Sequence, residues 1–131
     1  MRPIPVILVV TAALLGTGGC GSDQPPVCDS LDAVQTTMDH VRDANVSENG
    51  LTQLETGLQQ LRTDLQQLAA DAKAQFAPEI DMVKNAANQF RVSVDDARAA
   101  PDAKTLAAVQ ATRTTLRSSV QNLGDAMSGT C

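Results

Sequence analysis

Apolar residues recur at alternating intervals of three and four positions along the chain after Cys28. This spacing follows the 3.6 residues of a helical turn, so each series forms one face, or seam, of an amphipathic helix. Four such segments are separated by polar or proline-containing stretches. The pattern therefore predicts an all-α protein built from heptad-patterned helices.

The second segment has the strongest pattern, because leucine occupies both seam positions of three successive heptads. The first segment runs from about Asp29 to Ala44, with Asp29 or Ser30 as its cap. The last segment has Pro101 in its first turn. The four seams consist of Leu31, Val34, Met38 and Val41; Leu51, Leu54, Leu58, Leu61, Leu65 and Leu68; Phe76, Ile80, Val83, Ala87, Phe90, Val94 and Ala97; and Leu106, Val109, Leu116, Val120, Leu123 and Met127.

Successive seams match as antiparallel pairs across the turns that join them. Val41 then lies opposite Leu54 in the first pair, and Val94 lies opposite Leu106 in the second. How the two pairs combine depends on the stretch between Ala72 and Phe76, where the seam advances by four residues although three are due. Such a shift turns the apolar face of the helix.

Two arrangements are compatible with this shift. In the favoured one, residues 51–99 form a single long bent helix, and the first and last helices lie end to end along it. This register brings Cys28 and Cys131 to the same level. The alternative is an up-down four-helix bundle folded at Pro78, which on the same register leaves the two cysteines misaligned by several turns.

The N-terminal residues have the three parts of an export signal. Arg2 supplies a positive charge, Val6 to Leu15 is uncharged and apolar, and small residues follow. The apolar run is too short for a permanent transmembrane helix, so the pattern predicts a signal peptide over residues 1–19.

Thr17-Gly18-Gly19-Cys20 resembles the lipobox of bacterial lipoproteins, in which small residues precede a cysteine that becomes lipidated. The sequence departs from that pattern at Thr17, where leucine is usual. The resemblance implies acylation of Cys20, for example with palmitate, and a lipid anchor on the extracytoplasmic face of the cell membrane. The alternative is ordinary secretion without the lipid.

The cysteine count agrees with a lipidated Cys20, because three cysteines in an exported chain leave one without a partner. Cys28 and Cys131 then form a disulfide. Residues 20–27 are polar and contain prolines, which is typical of a flexible linker. We therefore divide the chain into a signal peptide (1–19), a lipid-anchored linker (20–27) and a helical domain (28–131).

Composition and charge exclude several classes of function. Without Arg2, nine of the ten basic side chains and all 15 acidic ones remain. An acidic chain of this kind is unsuited to nucleic acid or to electrostatic adhesion to anionic lipid, since both require clustered lysine and arginine.

No residue pattern indicates catalysis, a metal site or a cofactor. His40 is the only histidine, and its heptad phase places it on the outer side of the first helix. Arg113 falls on the seam of the last helix, where we expect its charged end to extend to solvent beside the small Ala87.

As a whole, the mature region is similar to small helical lipoproteins of the actinobacterial type, a similarity of arrangement that implies no specific activity. The lipid anchor, the heptads and the lack of catalytic residues favour a non-enzymatic envelope component, namely a helical scaffold or protein-interaction module. It would bind a protein partner or a second copy of itself. The alternative function is an exported carrier of an apolar small molecule.

Overall fold

Four helices account for most of the described chain in the computed structural model, which describes residues 25–131. They are α1 (Pro26–Asp43), α2 (Leu51–Ala72), α3 (Ala77–Ala99) and α4 (Ala103–Ala126), with a short 3₁₀ turn at Glu48–Gly50. Residues 25–131 contain no strand, and the all-α prediction is confirmed. The predicted signal peptide, Cys20 and most of the predicted linker lie outside the described residues.

Each helix runs antiparallel to the next, and α4 returns beside α1. Three contacts far apart in sequence define this order: Thr37 with Asp64 between α1 and α2, Arg98 with Glu55 between α3 and α2, and Cys28 with Cys131. The architecture is therefore an up-down four-helix bundle. The favoured prediction of one long helix over residues 51–99 is wrong.

The chain reverses between α2 and α3 within Lys73–Phe76. Lys73 (φ 57°, ψ −122°) and Phe76 (φ 61°, ψ 18°) both have positive φ, so a right-handed helix cannot continue through either residue. Pro78 occupies the first turn of α3, where its missing N–H leaves no hydrogen bond unmade. The seam shift and the proline therefore mark the end of one helix and the start of another.

The predicted seams form the core. All six seam leucines of α2 are at most 8% exposed, and Val34, Val83, Phe90 and Leu116 are inaccessible to solvent. Phe76, Ala87 and Leu106 are only partly buried and pack against this core. The heptad pattern thus identified the buried face of every helix, although it left the arrangement of the helices open.

Two helices begin at positions other than those predicted. α1 begins at Pro26, before Asp29 and inside the predicted linker, because proline suits the first helical position. α4 begins after Asp102 and not with Pro101. The Asp102 carboxylate accepts a hydrogen bond from the backbone N–H of Thr105, and the Thr105 hydroxyl accepts one from the N–H of Asp102. This reciprocal capping box fixes the start of α4.

Cys28 and Cys131 form a disulfide, with their Cα atoms 5.6 Å apart. The expectation that an up-down bundle would misalign the two cysteines is wrong. That expectation derived the register of α1 and α4 indirectly, from the pairing of each with α2 or α3. In the structure α1 and α4 are direct neighbours, and their own contacts set their register. Next to the bridge, the Thr130 carbonyl lies 3.7 Å from the Cys28 Sγ.

Polar contacts join α1 to α2 along one side of the seam. The Thr37 hydroxyl donates to the buried Asp64 carboxylate, and the Gln60 amide donates to its other oxygen at 2.9 Å. Nearer the disulfide, the Ser30 hydroxyl donates to the Asp71 carboxylate, which also accepts a hydrogen bond from the Gln67 amide one turn earlier on α2. These donors lower the pKa of Asp71, the Ser30 hydroxyl most strongly.

Arg113 caps the end of α1 from the neighbouring helix α4. Its Nη1 lies 2.8 Å from the carbonyl oxygen of Ala44 and 3.2 and 3.4 Å from those of Arg42 and Val41. Carbonyls at a helix C-terminus lack intrahelical donors and carry partial negative charge, so a guanidinium satisfies them in both respects. The side chain is half-buried against α1 and does not extend freely into solvent as predicted.

Removing the disulfide should strongly destabilise the bundle. We expect the double variant Cys28→Ser/Cys131→Ser to lose about 4–5 kcal/mol in free energy of unfolding, since the bridge closes most of the chain into one loop. Urea denaturation measures the loss. Reductant should lower the stability of the parent by a similar amount and leave the double variant unchanged; free thiols at both positions in the non-reduced parent would contradict the bridge.

Replacing Arg113 should loosen the α1–α4 contact. We expect Arg113→Ala to lower the free energy of unfolding by roughly 1–2 kcal/mol, because the carbonyls at the end of α1 lose their charged donor. The matched control is Arg117→Ala, which removes an exposed arginine of the same helix and should change stability by less than about 0.5 kcal/mol. Equal effects of the two substitutions would show that the cap contributes nothing specific.

Candidate functional site

The surface between α2 and α3 forms a groove of about 570 Å³. This size falls within the range of roughly 300–1,000 Å³ that is common for ligand sites. We call it the α2/α3 groove. Its lining consists of Glu55, Leu58, Gln59, Arg62, Leu65 and Gln66 from α2, and of Lys84, Ala87, Asn88, Arg91, Val94 and Asp95 from α3.

The floor of the groove is closed. Leu58, Leu65 and Val94 are 8%, 3% and 1% exposed, respectively, since their side chains point into the core of the bundle. Only Ala87 is partly exposed among the apolar lining residues. An apolar ligand lying there would therefore remove little further apolar surface from water, and the groove is defined chemically by its polar walls.

Its walls carry an excess of positive charge. Arg62, Lys84 and Arg91 are exposed, and none of the three forms an ion pair with another residue of the segment 25–131. The two acids of the lining are Glu55 and Asp95. Glu55 already pairs with Arg98, so three cations face one uncommitted carboxylate in a protein of net charge −5.

The register of the two helices explains this excess. Arg62 lies seven residues after Glu55 on α2, and Arg91 lies seven residues before Arg98 on α3. Antiparallel helices keep such positions level. Two like charges therefore lie at the same height across the groove, and because both are exposed their repulsion destabilises the folded protein only slightly.

A second groove, of about 590 Å³, lies between α1 and α2 and includes His40. His40 is exposed there, as its heptad phase predicted. α1 and α2 lie close together beside it, since a Cβ on Gly57 would come within 2.7 Å of a methyl group of Val41. Hydroxyl and amide groups dominate its polar lining, and it has no excess of either charge comparable to that of the α2/α3 groove.

Cys28 and Cys131 meet in the disulfide, while Cys20 lies outside the described residues. Between residues 25 and 131, no group of three His, Cys, Asp or Glu side chains is arranged to hold a metal ion. No helix in that part of the chain is both long and apolar enough to cross a membrane.

No family model, curated protein or solved structure matches the chain. The candidate site is therefore defined by its geometry and charge alone. The α2/α3 groove was not predicted from the sequence, although its basic row is visible there: Lys84, Arg91 and Arg98 recur at intervals of seven, as residues on one flank of a heptad seam do.

The like-charge contact across the groove makes a testable prediction about stability. We expect Arg62→Glu to raise the free energy of unfolding by about 0.3–1 kcal/mol, because it replaces repulsion by Arg91 with attraction. Thermal denaturation at low salt measures the gain, which should disappear in about 1 M salt, where charges are screened within about 3 Å.

The double variant Arg62→Glu/Arg91→Glu serves as the control. It restores a like-charge pair of opposite sign, so its stability should return to that of the parent. A double variant as stable as Arg62→Glu alone would mean that the two positions do not interact, and that Arg62 acts through some other neighbour.

Proposed function

We propose that this protein is an exported, lipid-anchored helical module that binds a protein partner at the cell envelope and carries out no catalysis. The observation that carries the proposal is the Cys28–Cys131 disulfide. Structural disulfides persist in oxidising compartments outside the cytoplasm, and the bridge accounts for two of the three cysteines. The third, Cys20, follows an export signal and a lipobox-like sequence.

In this proposal the anchor holds the bundle close to the membrane. α1 begins at Pro26, six residues after Cys20, and six residues span at most about 20 Å when extended. The start of α1 lies at the same end of the bundle as the disulfide and the Lys73–Phe76 turn. The opposite end, with the Glu55–Arg98 pair, would face away from the membrane.

The α2/α3 groove supports a binding function, since three cations cluster in it without an ion-pair partner among residues 25–131. Interaction surfaces commonly retain such groups at some cost in stability. The carrier function that the sequence left open gains no comparable support. The space beside the small Gly124 of α4 is occupied, since the amide nitrogen of Gln35 would lie 3.0 Å from a Cβ added there.

Metabolic labelling with a fatty acid tests the anchor. We expect the parent protein to take up the label and Cys20→Ser to lose it entirely, because the acyl chains attach to that sulfur. The variant Cys28→Ser/Cys131→Ser is the matched control: it keeps Cys20 alone and should remain labelled. Label that persists on Cys20→Ser, or is absent from the parent, would overturn the proposal of a lipid anchor.

A further inference from the structure

The basic row on α3 indicates what kind of partner fits the α2/α3 groove. Lys84, Arg91 and Arg98 are seven residues apart, which corresponds to about 10.5 Å per interval along a helix. Across the groove, the level positions on α2 are Ala69, Arg62 and Glu55. Only the last is an acid, so one cation of the row is neutralised and two are not.

In antiparallel and parallel helix pairs alike, charged residues that flank the seam select the partner through opposite charges. α2 presents an opposite charge to α3 at Glu55, which pairs with Arg98. At Arg62 it presents a like charge to Arg91. The α1/α2 interface contrasts with this: each of its acids that contacts α1, Asp64 and Asp71, accepts a hydrogen bond from a hydroxyl of α1. Along α2, the unmatched charge therefore lies on the side that faces α3.

The chemistry of the groove excludes occupants that bind mainly through apolar contacts. Its floor residues are almost fully buried already. Its walls offer two guanidinium groups, an ammonium group and the amides of Gln59, Gln66 and Asn88. Guanidinium groups bind carboxylates through two parallel hydrogen bonds, and amides add further donors.

We infer that the α2/α3 groove binds an acidic helix of the partner protein, with Asp or Glu residues at seven-residue spacing, one of which pairs with Lys84 and the next with both Arg91 and Arg62. The inference rests on the proposed function as an interaction module and specifies its partner. A helix fits because it repeats its side chains at the same interval as the basic row. A small anion can engage only one position of that row.

Binding to a designed peptide tests the inference. The probe is a 21-residue amphipathic helical peptide with Glu at seven-residue spacing beside an Ala and Leu stripe, and its matched control carries Gln at the same positions. With the full-length lipidated protein in nonionic detergent at low salt, we expect at least tenfold tighter binding of the Glu peptide. High salt should abolish the difference, because the contacts are exposed ion pairs.

Two variants of equal charge separate the groove from general electrostatics. Arg62→Gln/Lys84→Gln/Arg91→Gln removes the three groove cations and should weaken binding of the Glu peptide at least tenfold. Lys73→Gln/Lys104→Gln/Arg117→Gln removes three exposed cations outside the groove and should stay within twofold of the parent. Equal weakening by both variants, or equal binding of the two peptides, would overturn the inference.

Other occupants give distinct results. Concentration-dependent association of the protein alone, lost in the groove variant, would identify a second copy as the occupant. Binding to vesicles of phosphatidylglycerol that depends on the groove cations, without discrimination between the peptides, would identify a lipid headgroup. Each of these results would replace the acidic helix.

Photo-crosslinking in intact cells distinguishes failure of this inference from failure of the proposed function. A photoreactive residue at Asn88 lies in the groove, and one at Gln121 lies on the exposed surface of α4. We expect a protein crosslinked from Asn88, through an acidic segment. A protein captured from Gln121 alone would overturn the groove inference and leave the interaction module standing, whereas no protein from either position would overturn both.

Discussion

The reversal at Lys73–Phe76 is the constraint on which the rest of the structure depends. It requires two residues other than glycine at positive φ, each at a cost on the order of 1–3 kcal/mol. Packing of α2 against α3 offsets that cost. Because the chain turns back here, α4 can return beside α1, the two distant cysteines can meet, and a groove exists between two helices that a continuous rod would have kept apart.

Electrostatic matching differs between the two sides of α2. Towards α1, its acids are buried or half-buried and satisfied by hydroxyl groups. Towards α3, an arginine lies level with another arginine. Buried polar groups must be hydrogen-bonded for the chain to fold, while exposed like charges cost little and are tolerated. The side facing α1 thus contributes to the fold, whereas the like charges on the side facing α3 make no such contribution.

The sequence predicted local features well and the global arrangement less well. The leucine seam of α2 is buried throughout because a heptad determines which face is apolar, whatever that face contacts. The seam shift before Phe76 and the proline at position 78 are equally compatible with a bend in one long helix and with a reversal between two helices. The choice depends on packing between residues far apart, which no local pattern encodes.

The α2/α3 groove could not be predicted for the same reason, because it depends on which helices pack together. The seven-residue spacing of Lys84, Arg91 and Arg98 is legible in the sequence, but which helix they face is known only once α2 and α3 are paired. The capping box of Asp102 and Thr105 was a local signal that could have been recognised from the sequence alone. It would have placed the start of α4 correctly.

The position of the disulfide also bears on how the protein matures. Its two cysteines are separated by 103 positions, and Cys131 follows all four helices. A chain that emerges at about 5–20 residues per second exposes the Cys28 thiol for many seconds before its partner arrives. The disulfide therefore cannot form before all four helices have been made, and α1, α2 and α3 can pair with one another during that time.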